Sequence, residues 1–283
     1  MNEVMNVKNL CKSYESFALK DVSFDIAEGE IMGFIGRNGA GKTTTLKSLL
    51  NLVHPDSGEI SFFGMDFTQH ESEIKQRIGY AAGGMSYYSR KRLRDIAKVT
   101  AGFYDGWSDD EYRRLLALFK LDENKRVIDL SEGMKVKFHL ALALSHNAKL
   151  LILDEPTSGL DPVSRDELLE LFMQIAKSGT AILFSTHITS DLDKCADKIT
   201  YISGGRIIDS CKTDDFIGKY RLVGISGEVS EKQRAAILGE SVTRHGGTAL
   251  IYANNAALFD GYEITAPDLE TIMVHIEKEE RTI

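Results

Sequence analysis

Gly36-Arg-Asn-Gly-Ala-Gly-Lys-Thr43 matches the phosphate-binding loop pattern G-x-x-x-x-G-K-[ST] at every fixed position. The flanks supply the context this pattern needs. Ile31-Met-Gly-Phe-Ile35 reads as a short buried strand, and Thr44-Thr-Leu-Lys-Ser-Leu-Leu-Asn-Leu52 as the helix that follows. A glycine-rich turn here lets several backbone N–H groups point inward, and the helix N-terminus adds a positive dipole end. Gly36, Arg37, Asn38, Gly39, Ala40, Gly41 and Thr44 are therefore candidate phosphate-binding positions. Lys42 would reach the β- and γ-phosphates, and the Thr43 hydroxyl would ligate Mg²⁺. The competing reading, a glycine-rich turn that binds nothing, does not account for strand, loop and helix standing in register. The loop implies binding of a nucleoside triphosphate.

The rest of the composition sets bounds on that activity. The 283 residues suffice for one large core, or one core and a small appendage. A formal net charge of −8 argues against nucleic acid as the main partner, which would need clustered Lys and Arg. The one basic run, Arg90-Lys-Arg-Leu-Arg94, reads as a solvated helix face. Cys11, Cys195 and Cys211 form no C-x-x-C pair, which fits a reducing compartment. No basic stretch leads into an apolar one at the N-terminus, and no apolar run approaches the ~18–20 residues of a membrane span. A cytosolic location is the expectation.

Along the chain, Val22–Ile26 alternates as a strand, Glu28-Gly29 and Pro55–Gly58 are turns, and Glu59–Phe63 is a further strand. From about residue 71 the pattern turns helical. Ser108-Asp-Asp-Glu111 reads as a capping box, and Ser131 opens a helix that is apolar nearly all round from Val136 to Leu144. The α/β alternation then resumes. Leu150–Leu153 and Ala181–Phe184 are continuous apolar strands of the parallel-sheet kind, and Asp161-Pro162 opens an amphipathic helix that Gly179 closes. Ile199–Ile202 and Ile207–Cys211 form a hairpin through Ser203–Arg206. Beyond residue 212 lie a strand at Leu222–Ile225, a helix from Ser230, strands near Thr248–Ala253 and a closing helix after Pro267, a small α+β appendage without a motif.

Two carboxylates follow a buried strand in Leu150-Leu-Ile-Leu-Asp-Glu155. Ligands of parallel sheets bind beyond the carboxyl ends of the strands, where both would lie. Asp154 would hold Mg²⁺ and Glu155 would take a proton from the attacking water. Ser185-Thr-His187 ends the next strand in the same way, so His187 could donate a hydrogen bond to the γ-phosphate. Asp161 before Pro162 is what helix capping alone would select.

Leu130-Ser-Glu-Gly-Met134 completes a series. With Gly36–Thr43, Leu150–Glu155, Ser158-Gly-Leu-Asp161 and His187 in this order, residues 4–212 resemble the ATP-binding-cassette (ABC) ATPases. The resemblance implies an α/β P-loop fold with a mixed sheet core, an antiparallel β subdomain and a helical subdomain over about 84–146. The cassette would occupy 1–212 and the appendage 213–283. It implies ATP and Mg²⁺, with Tyr14 stacking on adenine. Ser131 and Gly133 would close on the γ-phosphate held by a second copy or a paralogue, and Asp161 would link the halves. It also implies a separate integral-membrane permease, as in bacterial efflux systems, and hence a location on the inner face of the membrane. Tyr87, Tyr88, Phe103, Tyr104 and Trp107 could line the permease dock, or be local core.

Two departures from the family pattern matter. The signature's usual Gly-Gly-Gln ending is Glu132-Gly133-Met134, which retains Ser131 and Gly133. The polar residue expected after Ile78-Gly-Tyr80 is replaced by Ala81-Ala-Gly-Gly84, so weakened ordering of metal and water, and modest turnover, are expected unless Ser86 substitutes. A soluble non-transport ATPase of the same fold is the alternative. The short interval from Thr43 to Leu130 excludes the chromosome-maintenance members, and a single cassette excludes the translation factors. An iron–sulfur-assembly ATPase stays open, although this chain has no cysteine cluster to support it, and a GTPase switch would need Asn-Lys-x-Asp where Asn124-Lys-Arg-Val127 lacks the Asp.

Overall fold

Every residue of Ile31–Ile35, Leu150–Asp154 and Ala181–Thr186 is buried, as continuous apolar runs inside a parallel sheet must be. The computed structural model that shows this describes residues 2–82, 88–225, 229–243 and 246–279. The chain opens with β1 (Glu3–Ser13), β2 (Ala18–Ala27), β3 (Ile31–Ile35), α1 (Lys42–Leu49), β4 (Ser57–Phe62), β5 (Met65–Asp66), α2 (Phe67–Lys75) and β6 (Ile78–Ala82). Helices α3 (Leu93–Ala101), α4 (Asp109–Leu118) and α5 (Glu132–Ser145) follow, then β7 (Leu150–Asp154), α6 (Pro162–Lys177), β8 (Ala181–Thr186), α7 (Thr189–Cys195), β9 (Lys198–Ser203) and β10 (Arg206–Lys212). The remainder is α8 (Thr213–Gly218), β11 (Tyr220–Ile225), α9 (Glu231–Arg234), β12 (Ile237–Thr243), β13 (Gly246–Tyr252), β14 (Ile264–Thr265) and α10 (Leu269–Glu279).

These elements gather into two units. The first is Met1–His187 with Cys195–Ser210, the second Ile188–Lys194 with Cys211–Ile283. The grouping of Ile188–Lys194 with the second unit is marked by no local sequence signal.

In the first unit, a six-stranded sheet has the order β10-β9-β3-β8-β7-β6, with β9, β3, β8, β7 and β6 mutually parallel. A second, antiparallel sheet has the order β2-β1-β4-β5. One apolar core, including Met5, Leu10, Ile26, Phe34, Leu46, Phe62 and Leu183, is shared by both sheets and α1. Helices α3 and α4 pack on α5. Gly79 of β6 sits against Ala143 and Leu151, so a larger residue there would push α5 off the sheet.

Capping chemistry behaves as read, with one difference. Ser108 accepts the Glu111 N–H at 3.1 Å, but the Glu111 carboxylate pairs with Arg114 at 2.6 Å instead of closing a capping box. The basic run departs further from its reading. Arg90 lies in a turn, Arg92 bridges to Arg126, and α3 begins only at Leu93, so these residues do not share a helix face.

The second unit holds an antiparallel sheet in the order β12-β13-β11-β14. Alternation along the strands divides its residues between two faces. Val223 and Ile251 form a small core with Phe259, while α10 packs on β12 and β13. The expected helix from Ser230 is a single turn, capped reciprocally by Ser230 and Gln233, and β12 follows where no strand was expected.

Candidate nucleotide site

The phosphate loop is held open by contacts that only glycine permits. Gly41 adopts φ +113, and a Cβ on it would stand 2.6 Å from Leu19 Cδ2 and 2.8 Å from Phe17 Cζ. Gly36 likewise abuts the Ile202 carbonyl of β9. The loop leads into α1 with Gly41 as N-cap and no side-chain cap. The first bonded amide of the turn is Thr45, to Gly41 O at 2.8 Å. Among the described residues, the N–H groups of Lys42, Thr43 and Thr44 find no acceptor. Three free donors at a helix N-terminus need an anion or water, and they fit a phosphate chain.

Lys42 is buried, yet its ammonium is fully engaged. Nζ donates to Gly36 O at 2.7 Å and to Arg37 O at 3.3 Å, and lies 3.4 Å from Glu155 Oε1. The parallel register explains the last contact. Asp154 of β7 pairs with Ser185 of β8, and Ile35 of β3 with Thr186, so the loop, the carboxylates and His187 all emerge at the same sheet edge. His187 Nδ1 is 2.8 Å from Glu155 Oε2.

Glu155 itself stands in the left-handed region, φ 50, which a non-glycine residue occupies at a cost and which clusters at working sites. Its N–H is shared by Ser185 Oγ at 3.0 Å and Ser185 O at 3.1 Å. The same hydroxyl donates to Asp154 Oδ1 at 2.5 Å. Ser185 thereby ties the Asp154 carboxylate to the Glu155 backbone. The sequence placed it at the strand end without assigning it a task.

An open cleft of about 600 Å³ lies over the loop. It is lined by Arg37, Asn38, Gly39, Gly41, Lys42, Thr43, Thr44, Glu155 and His187 among the expected residues, and by Ser16, Phe17 and Ser158 besides. Gly36, Ala40 and Asp154 lie beneath this lining and are buried. Tyr14 does not border the cleft. It is exposed, with Lys12 Nζ 5.7 Å from its ring centre, while Phe17 takes the position against Gly41. Both sit in the β1–β2 turn, closed by the Tyr14 N–H to Phe17 O at 2.8 Å. Only the register of that turn tells them apart, and the sequence does not carry it.

Ser131, Gly133 and Asp161 stand outside the cleft as a second group. Ser131 caps α5 by accepting the Met134 N–H at 3.3 Å. Gly133 faces Leu160 and Ser164. Asp161 caps α6, accepting from the N–H groups of Val163 and Ser164 at 3.0 Å and from Ser164 Oγ at 2.6 Å. The Ser164 hydroxyl, with these amides, holds the Asp161 carboxyl below the usual range. Gly83, Ser86 and Tyr87 lie outside the described residues. Of the other aromatic candidates, Tyr104 stacks on His146 with ring centres 3.7 Å apart and Trp107 donates to Asp109 at 2.7 Å, whereas Tyr88 and Phe103 are exposed. They do not build one groove.

The ABC transporter family model matches residues 19–158, from β2 through the phosphate loop to Ser158. The bacitracin transport ATP-binding protein BcrA of Bacillus licheniformis is 34% identical over 245 residues, covering 85% of this chain and 79% of that protein. The chain belongs to the ABC transporter ATP-binding proteins. The ABC transporter ATP-binding protein NatA of Bacillus subtilis (strain 168) is 35% identical over 198 residues, 68% of this chain and 80% of that one. A solved structure of an ATP binding subunit of an ABC transporter superposes with a TM-score of 0.68 at 32% identity, over 75% of this chain and 91% of that chain. This ABC ATPase thus has the α/β P-loop fold expected of it. No helix among the described residues is long and apolar enough to cross a membrane.

Proposed function

We propose that this ABC ATPase powers an exporter by closing head to tail with a second copy, or a paralogue, over two molecules of ATP and Mg²⁺. The observation that carries the reading is the one-edge assembly of Lys42, Glu155 and His187 beside three free N–H groups. The N–H groups and Lys42 would bind the phosphates. Glu155, held by His187, would take a proton from the water that attacks the γ-phosphorus, and ADP would leave as the β–γ bridge breaks. Thr43 and Asp154 offer the hard oxygen donors that suit Mg²⁺, which would neutralise charge on the phosphates when bound.

Ser131 and Gly133, outside their own chain's cleft, would meet the γ-phosphate of the partner. A separate membrane permease would couple to the opening and closing, and would hold the subunit at the inner face of the membrane. Relatives named for bacitracin transport support the transporter role. Phe17, and not Tyr14, is proposed to stack on the adenine, because it is the aromatic residue that borders the cleft.

Glu155→Gln tests the mechanism. It should bind ATP, stop turnover and run as a dimer in size-exclusion with ATP and Mg²⁺. A monomer under those conditions would show that closure does not depend on the site as assigned. Gly83, standing where related ABC ATPases carry a polar side chain, is proposed to limit turnover. Gly83→Gln should raise kcat severalfold, and an unchanged rate would remove that explanation.

A further inference from the structure

The basic run of the first unit is shaped by the fold into an unpaired cationic ribbon. Val127 N–H donates to Lys91 O at 3.1 Å and Leu93 N–H to Lys125 O at 3.0 Å, on either side of an antiparallel bridge between Arg92 and Arg126. In this pattern Arg92 and Arg126 form a non-hydrogen-bonded pair, whose side chains leave the ribbon on the same face at the closest spacing a sheet offers. Just past the bridge, at the start of α3, the Arg94 side chain donates to Asn124 Oδ1 at 2.8 Å. Leu93 and Val127 are buried, which pins the ribbon to the domain.

Like charges directly opposite one another destabilise a strand pair. Elsewhere this acidic chain neutralises its cations locally, as in Arg114–Glu111, Lys135–Glu132 and Lys137–Glu167. Here Arg90, Lys91, Arg92, Lys125 and Arg126 are exposed and make no ion pair among the described residues. Of the nearby acids, Asp129 accepts the Arg126 backbone N–H, Asp95 faces Arg94, and Asp122 holds Asn124 while its charge also acts on Lys125. At the end of the ribbon, the Ile128 N–H donates to Ser89 O at 2.8 Å, which brings two exposed apolar residues, Ile128 and Tyr88, beside the cations.

We propose that this ribbon binds the surface of an anionic lipid bilayer directly. The cations would lie over headgroup phosphates, with Tyr88 and Ile128 at the level of the interface. A nucleic acid would use the arginines but gain nothing from the aliphatic Ile128, which can neither stack nor hydrogen-bond. A bilayer uses both kinds of residue. The inference rests on the ribbon alone, so its failure would leave the nucleotide site and its proposed coupling untouched.

Co-sedimentation of the purified full chain with vesicles, in the absence of any permease, tests the proposal. Mixed phosphatidylcholine–phosphatidylglycerol vesicles should carry the chain down at low salt and release it at high salt, and pure phosphatidylcholine vesicles should not bind it. R92E/R126E should weaken partitioning at least about thirtyfold, the change expected for two basic residues near an anionic surface. Tyr88→Ser/Ile128→Ser should weaken it about tenfold at equal net charge. The control K232E/R234E, reversing two exposed cations of the second unit, should bind as wild type. Absence of wild-type binding, retention by R92E/R126E, or equal loss in the control would each overturn the proposal. So would displacement from the vesicles by an oligonucleotide at lower concentration than by soluble phosphatidylglycerol.

Discussion

His187 Nδ1 lies 2.8 Å from Glu155 Oε2, while the other oxygen of that carboxylate lies 3.4 Å from Lys42 Nζ. The carboxylate is thus suspended between a cation that the phosphates would claim and the Nδ1 side of an imidazole. His187→Ala should let Glu155 swing onto Lys42. ATP binding, read with a fluorescent analogue, should change by no more than about twofold, because the loop amides are unaffected. Turnover should fall about a hundredfold, the low end of what a placed general base contributes. Equal losses in binding and in kcat would mean that His187 supports the cleft as a whole and does not orient Glu155.

The β1–β2 turn offers two aromatic rings three residues apart, of which only Phe17 borders the cleft. Stacking of a base on an aromatic ring is worth about 1–3 kcal/mol. Phe17→Ser should therefore weaken ATP about tenfold or more, with Tyr14→Ser within about twofold of wild type. Isothermal titration on the two variants separates them, and the reverse order would return the stacking role to Tyr14.

The difference between these two residues shows where sequence reading stops. β3, β7 and β8 were legible because a strand buried on both faces has no polar position to blur it. The phosphate loop was legible because its glycines answer to local geometry, as the contacts at Gly41 show. Which aromatic reaches the cleft depends on a turn register with bulges between Val7 and Lys12. Likewise β12 was missed because Ile237–Thr243 mixes glycine, glutamate and serine, and its strand state comes from pairing with β13 and from α10, whose His275 carbonyl abuts Gly239. Arg90–Arg94 was misread for the same reason, since its partner strand lies more than thirty residues on at Lys125–Val127.

Two histidines give stability a pH dependence of known sign. Burial holds the imidazoles of His139 and His146 below their ordinary value. Lys135 adds to the effect on His139, and the Gln76 carbonyl opposes it on His146. Both take up protons less readily when folded than the unfolded chain does, where uptake begins as the pH falls through about 6.5. Their contribution is therefore complete above that pH and is lost as the pH falls from there toward the folded values. The carboxylates that ion pairs hold low titrate near pH 4 and below, and burial raises that of Asp193, so calorimetry at about pH 7.5 and about pH 5.5 is read on wild type against the double histidine variant. Tm should drop on acidification, and His139→Leu/His146→Phe, which keeps the ring stacked on Tyr104, should drop less. Identical drops would assign the effect to other groups.

Asp161 carries two readings that one pair of variants separates. As a cap it accepts two backbone N–H groups through Oδ1 and the Ser164 hydroxyl through Oδ2. Asp161→Ala removes all three bonds and should lower Tm by about 2–4 °C, the effect of a lost N-cap in a chain of this size. Asp161→Asn keeps an oxygen for the two amides, and its Tm should stay near that of wild type. If capping were the whole role, Asp161→Asn would hydrolyse ATP and dimerise normally. The proposed link between the halves instead requires the charge, because Gly133 at the N-terminus of α5 faces Ser164, one turn into the helix that Asp161 caps. Asp161→Asn should therefore dimerise about tenfold more weakly with ATP and Mg²⁺, measured by analytical ultracentrifugation in the Glu155→Gln background, where hydrolysis cannot empty the site. A stable fold with weakened closure supports the link, and wild-type closure reduces Asp161 to a helix cap.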